Sequence, residues 1–233
     1  GSMANEELVE MVRQGRKSVA LWCRKNPEVV LDLVDADLSE VDLAGVNLRR
    51  SQMVGAKLCR SRLTGANFSG VDLTRADLSG AEVSRVNFSA SRLFRARLKG
   101  VRGEGTDFSK AVLQGGDLTD SVLSQASFVD ADLQETDLAG AELLGVNFAH
   151  ADLDRANFER VRCGWLTWTD VDLSRTTGLD SMTHLGPGSI GLDTLERSGT
   201  RIPKAFLRGN GVGQDWIETY ESHEEPAAAA DTL

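Results

Sequence analysis

The sequence predicts an all-β solenoid of about seven four-sided coils, with an N-terminal capping helix and a small, mostly helical C-terminal cap. Three observations predict it. From Ala36 (A-D-L-S-E, V-D-L-A-G, V-N-L-R-R) to Arg175 the 233-residue chain keeps a five-residue register without insertion, for 140 residues or 28 blocks. The third residue of the block is Leu or Phe in 23 of the 28, the exceptions being Met53, Val83, Gly103, Cys163 and Trp168, and the first is small except at Leu166. Phe occupies the third position at 68, 88, 108, 128 and 148, a spacing of twenty.

A step of five rotates successive residues roughly 140° around an α-helix, so no helical face collects the large side chains. A straight strand fails too, because an odd step alternates them between its two faces. The chain must turn once per block, with the first and third residues inward and the other three outward. Four blocks per turn put the side chains of Phe68, Phe88, Phe108, Phe128 and Phe148 above one another, with Leu48 below and Trp168 above; three per turn scatter them. Stacked rings gain about 0.5–1.5 kcal/mol per pair beyond burial, a reason to segregate them in one column. Phe158 stands outside it. With coils about 4.8 Å apart, seven make a rod roughly 34 Å long.

A solenoid needs covers at both ends, where coils otherwise expose apolar interior and unpaired backbone. Residues 5–26 read as a helix capped by Asn5, started by Glu6 and Glu7 and stopped at Asn26-Pro27, with Leu8, Val12, Val19 and Trp22 on one face and Gly15 as a weak point. Trp165, Leu166 and Trp168 enlarge the final coil as if closing its interior. Beyond Thr177 a composition shift, with Gly186-Pro187-Gly188, a helical pattern from Ile190 to Glu196 and the stretch Pro203 to Leu207, predicts a compact cap. The expected organisation is 1–30 tag remnant (Gly1, Ser2) and capping helix, 31–176 solenoid, 177–222 capping module and 223–233 disordered tail.

Composition excludes several classes. No apolar run approaches the roughly 18 residues of a membrane span, and no signal peptide is visible, so the expected location is cytoplasmic. Cys23, Cys59 and Cys163 are too few and too dispersed for a disulfide framework and read as free thiols. The net charge of -9 disfavours unspecific attraction to DNA or anionic lipid.

The A-[DN]-[LF]-x-x blocks resemble the pentapeptide repeat family, and the resemblance implies a right-handed quadrilateral β-helix. Trp22 to Leu38 (W-C-R-K-N-P-E-V-V-L-D-L-V-D-A-D-L) is similar to the leader of many bacterial members. His184 to Val212 (H-L-G-P-G-S-I-G-L-D-T-L-E-R-S-G-T-R-I-P-K-A-F-L-R-G-N-G-V) resembles a module that often precedes a Toll/interleukin-receptor domain; no such domain follows in this sequence.

Chemistry is sparse. His150, His184 and His223 form no metal-ligand spacing with the cysteines, Gly209 to Gly213 reads as a turn rather than a dinucleotide fingerprint, and no P-loop is present. Coils that fill their own interior leave no natural substrate pocket. No catalysis and no cofactor are expected. Gly103 reads as a local pinch, with a bulge at Gly103-Glu104-Gly105, in preference to a binding notch.

Charge is segregated by sign. Arg49 to Lys110 holds 13 Lys or Arg against 5 acids, and Ala111 to Arg160 holds 2 against 10. The four-sided geometry places Arg85, Arg92, Arg95, Arg97, Lys99, Arg102 and Lys110 in a basic belt, and Asp117, Asp120, Asp130, Asp132, Glu135, Asp137 and Glu142 in an acidic band. The first expectation is a scaffold or adaptor for protein partners in bacterial signalling or defence. The alternative, implied by the resemblance, is a DNA mimic that binds DNA gyrase and confers resistance to topoisomerase poisons; the basic belt spoils that imitation. Direct nucleic-acid binding ranks last, and a homodimer through the C-terminal cap is open.

Overall fold

In the computed structural model, residues 6–49 and 51–222 are described. The expected cap at Asn5, the tag remnant and the tail from His223 lie outside them. The repeat folds as a four-sided parallel β-solenoid of about eight turns, one more than the register of blocks suggests. We number its sides by their inward central residues: side 1 from Leu33, side 2 from Leu38, side 3 from Leu43 and side 4 from Leu48, each recurring every twenty residues.

Each block builds the same local structure. Its second residue donates to the coil below (Lys57 N–H to Ala36 O, 2.8 Å), and its third and fifth donate to the coil above (Leu58 to Asp77 O, 2.6 Å; Arg60 to Ser79 O, 2.9 Å). The corner is a turn closed by the next block, as in Ala36 N–H to Leu33 O at 3.1 Å. It requires a left-handed backbone at the fifth residue, and every described fifth residue from Asp35 to Asp170 has φ between 52° and 70°, including Arg75, Arg95 and Trp165. The second residue is so often Asp or Asn because its side-chain oxygen accepts the amide two residues on, as in Ser39 to Asp37, Ser69 to Asn67 and Thr119 to Asp117. First and third residues are buried along the rod except half-buried Val41 and Gly103, and Phe68, Phe88, Phe108, Phe128 and Phe148 stack at centroid distances of 4.9–5.4 Å. Trp168 continues the stack at 4.9 Å from Phe148, and Phe158 meets both edge-on.

Most ladder contacts are single bridges, such as Asp37↔Lys57. Strands β1 (Leu31–Asp32) and β2 (Ser51–Gln52) pair at the N-terminal end of side 1. On side 3 the chain runs straighter: β3 (Arg102–Glu104), β4 (Val122–Ser124), β5 (Glu142–Leu144) and β6 (Arg162–Gly164) form a parallel sheet, and the corners beyond them bend without the turn hydrogen bond. Gly103 therefore stands in register opposite Leu123, without the expected bulge. The pinch is real. A Cβ at Gly103 would lie 2.7 Å from Thr106 Oγ1 and 2.8 Å from Val83 Cγ2, and that hydroxyl donates to Val83 O, so the missing Leu leaves no notch inside.

The N-terminal cap is two helices, α1 (Glu6–Arg13) and α2 (Arg16–Lys25), broken where Gly15 takes φ 83°. Val12 and Val19 are buried, and Arg13 donates to the edge carbonyl of Asp37 at 2.8 Å. At the other end β7 (Thr167–Trp168) pairs with β9 (Ser189–Ile190), and β6 pairs with β8 (Thr183–His184), so an irregular coil overlies the last block. Ile190, expected to begin a helix, lies in β9; helices α3 (Leu192–Ser198), α4 (Lys204–Gly209) and α5 (Gln214–Ser222) follow. Leu166 and Trp168 close the interior with Phe206 over Trp168 at 5.4 Å, whereas Trp165 points out and is 58% exposed.

Candidate interaction surface

The four-sided coil distributes the basic belt by arithmetic. Arg92 stands on side 1, Arg95 on the corner between sides 1 and 2, Arg97 and Lys99 on side 2, Arg102 on side 3, Arg85 on the corner between sides 3 and 4, and Lys110 on the corner between sides 4 and 1. These positions surround the rod, but their charges are not equally free. Residues twenty apart lie one coil apart, so Arg92 reaches Asp72 at 3.9 Å and Arg97 reaches Asp77 at 3.7 Å, while Lys99 meets Asp120 at 3.6 Å. The same vertical pairing joins Arg60 to Glu40 and Arg62 to Asp42. No ion pair holds Arg75, Arg85, Arg95, Arg102 or Lys110 among the described residues.

One edge concentrates this charge. Arg75 and Arg95 occupy consecutive coils on the corner between sides 1 and 2, flanked by Arg92, Arg97 and Lys99. The Arg95 guanidinium lies 5.2 Å from the ring centroid of Phe94, a half-buried outward residue that the repeat pattern did not single out. A planar cation held over an aromatic ring is a preformed recognition element.

The acidic band is less available than its composition suggests. Glu135 pairs with Arg155 at 3.3 Å and Glu142 with Arg162 at 3.2 Å. Asp117, Asp132 and Asp137 accept amides of their own turns, and Asp137 also accepts from Asn157. Asp130 is an exposed corner residue. Such turns stabilise the charged carboxylate: the Ser39 amide holds Asp37 below its usual value, and the Ala44 amide, with Arg62, does so at Asp42.

Two features were illegible in sequence. A cleft of about 440 Å³ at the C-terminal end is lined by His150, Asp152, Asp154, Asp170, Asp172, Ser174, Arg175 and Arg197. Within it His150 Nδ1 lies 3.0 Å and Arg197 Nε 2.7 Å from the carboxylate of Asp170. Inside the cap, His184 Nδ1 approaches Cys163 Sγ at 3.5 Å, a pairing that the sequence spacing did not suggest. Burial pushes the thiol up to about 11 and the imidazole below its usual value, so both are neutral and no thiolate forms near neutral pH. All three cysteines are free, and no cluster of three potential metal ligands occurs among the described residues. No helix among them is long and apolar enough to cross a membrane.

The profile of "Pentapeptide repeats (8 copies)" matches residues 32–58, 51–89, 87–125 and 126–162. The chain belongs to the pentapeptide repeat family. Among solved pentapeptide repeat structures, HetL, involved in heterocyst differentiation regulation in the cyanobacterium Nostoc sp. strain PCC 7120, is 22% identical with a TM-score of 0.34, over 73% of this chain and 89% of that one. A trypsin-treated form of QnrB1, a plasmid-mediated fluoroquinolone resistance protein, is 18% identical with a TM-score of 0.48, over 74% of this chain and 85% of that one. Rfr23 from the cyanobacterium Cyanothece 51142 is 24% identical with a TM-score of 0.35, over 52% and 86%. No curated protein matches the chain.

Proposed function

We propose that this pentapeptide repeat protein is a non-enzymatic scaffold of the cytoplasm, which docks an acidic surface of a protein partner on the edge between sides 1 and 2. The observation that carries the reading is Arg95 over Phe94, with Arg75 unpaired one coil below and Arg92, Arg97 and Lys99 alongside. The ion pairs of these neighbours are long and their cations are exposed, so the cations turn to a better-placed carboxylate at little cost. A rigid backbone adds to this, since partner binding then orders few residues. A place in signalling or defence is part of the same proposal; it follows only from the resemblance read in the sequence of His184 to Val212, which lie beyond the family match ending at residue 162.

The test is retention of a partner from the native host by the immobilised protein, compared with Arg95→Glu/Arg97→Glu. The charge reversal abolishes retention while leaving the circular dichroism spectrum unchanged. Two results contradict the reading: inhibition of gyrase supercoiling at low micromolar protein, which belongs to DNA mimicry, and binding to duplex DNA that falls steeply with salt.

A further inference from the structure

Side 3 differs from the other sides. Among the described residues it is the side on which consecutive strands of three residues make a parallel sheet, and it carries exposed apolar residues: Trp165 is 58% and Leu185 45% exposed, with half-buried Val122 and Leu144 on the same side. Trp165 also holds φ 55°, an unfavourable backbone for a bulky side chain, on a corner where glycine would serve.

Its charges follow an order with a consequence. Up the outward column of second residues stand Glu82, Arg102, Val122, Glu142 and Arg162, which read negative, positive, neutral, negative, positive. Turned end over end about Val122, these five present the opposite sign at each charged position, while Arg62 below them meets the uncharged Thr183 of the second copy. The adjoining corner column behaves likewise. Arg85, Gly105, Gln125, Gly145 and Trp165, inverted about Gln125, set Trp165 against Arg85 and glycine against glycine, which permits close approach.

We propose that side 3 is a self-complementary surface on which a second copy of this chain docks antiparallel, with the two-fold axis through Val122 and Gln125. In that arrangement Arg102 of each copy meets Glu142 of the other, and Glu82 meets Arg162, so both add to the surface pair of Glu142 and Arg162 at 3.2 Å that the single chain already makes. Each Trp165 covers the guanidinium of Arg85 of the second copy, a cation–π contact made twice. Two contacts are poor: Glu104 faces Leu144, and on the leading corner Asp120 faces Asp120 of the second copy, its charge offset by Lys99 at 3.6 Å in each chain. Side 2 also alternates in charge, but inverted about its own midpoint it opposes Asp37 to Asp137 and Arg75 to Arg95. The side 3 face spans roughly seven coils at about 4.8 Å by four residues at about 3.3 Å, or about 900 Å² over both copies, which is the size of a weak, transient interface, so association is expected at tens of micromolar or weaker. The dimer covers Arg85 and Arg102 and leaves the edge at Arg95 open, so it is independent of the scaffold reading.

The experiment is sedimentation equilibrium of the full chain over about 5–200 µM, with single charge reversals. Arg102 makes no intrachain ion pair among the described residues, so Arg102→Glu leaves the fold intact, as its melting curve verifies. Wild type dimerises; Arg102→Glu and Glu142→Arg each dimerise at least about tenfold more weakly; an equimolar mixture of the two regains dimer, because the reversed charges then face each other. Ser124→Cys, at the axis, cross-links in a non-reducing gel, and Ala139→Cys on side 2 does not. A wild type that stays monomeric at the highest concentration overturns the proposal. So does a dimer unaffected by Arg102→Glu, which places the contact elsewhere, for example on the C-terminal cap.

Discussion

Replacing Phe108 by Leu isolates the contribution of the aromatic column. Phe108 is fully buried, with ring centroids 5.1 Å from Phe88 and 4.9 Å from Phe128 and planes within 8° and 5° of parallel. Leucine keeps most of the apolar contact and removes two stacked pairs, each contributing about 0.5–1.5 kcal/mol beyond burial, so Phe108→Leu destabilises by about 1–3 kcal/mol. Phe108→Ala removes the same pairs and leaves a cavity between two coils, which puts it in the upper part of the usual range of about 3–5 kcal/mol. Urea unfolding followed by far-ultraviolet circular dichroism reads both as shifts in midpoint. The slope shows whether the coils still unfold together, since a solenoid is held by nearest-neighbour contacts. A Phe108→Leu protein within about 0.5 kcal/mol of wild type would refute the argument that stacking explains the twenty-residue period.

Corner geometry supplies a second pair of tests: Gly70, at φ 68° with open space where a Cβ would lie, loses about 1 kcal/mol as Gly70→Ala, whereas Ala90→Gly, at φ 54° one coil above, gains stability. Gly103→Leu, which restores the repeat consensus, destabilises by at least about 1–3 kcal/mol in the same unfolding assay because Thr106 and Val83 already fill the site. Burial lowers the pKa of His184 from 6.5, so the unfolded chain takes up a proton before the folded one does. Its contribution is whole above about pH 6.5 and declines as pH falls below that value; thermal melts at pH 7.5 and 5.0 show the decline, and His184→Phe reduces it. The exposed pair Arg62–Asp42 contributes little, and Arg62→Ala shifts stability by less than about 0.5 kcal/mol.

The coil, its four sides and its aromatic column follow from sequence because one local event, a left-handed fifth residue, repeats and adds up. Where the local rule lapses, the reading loses its grip. Gly15 breaks one predicted helix into two through a positive φ that composition signals only as weak propensity. The eighth coil escapes notice because β8 and β9 pair at offsets of 21 and 22 residues from β6 and β7, outside the register of five. Trp165 reads as a plug by its size, yet it holds a fifth position, and fifth positions face outward. The charged belt is legible as an arrangement, since side and height are linear in residue number. Its energetics are not, because Arg92 and Arg97 are partly neutralised by acids twenty residues earlier. The meeting of Cys163 and His184, and the cleft around Asp170, depend on how the irregular cap folds back.

Everything rests on each twentieth residue returning to the same side one coil higher, and pulsed electron paramagnetic resonance measures that return. Spin labels at Ser69→Cys and Ala149→Cys, both on side 4 and four coils apart, in a chain carrying Cys23→Ser and Cys59→Ser, are predicted to lie about 19 Å apart within a narrow distribution of about 5 Å. A mean distance beyond about 30 Å, or a broad distribution without a peak near 19 Å, would contradict the account.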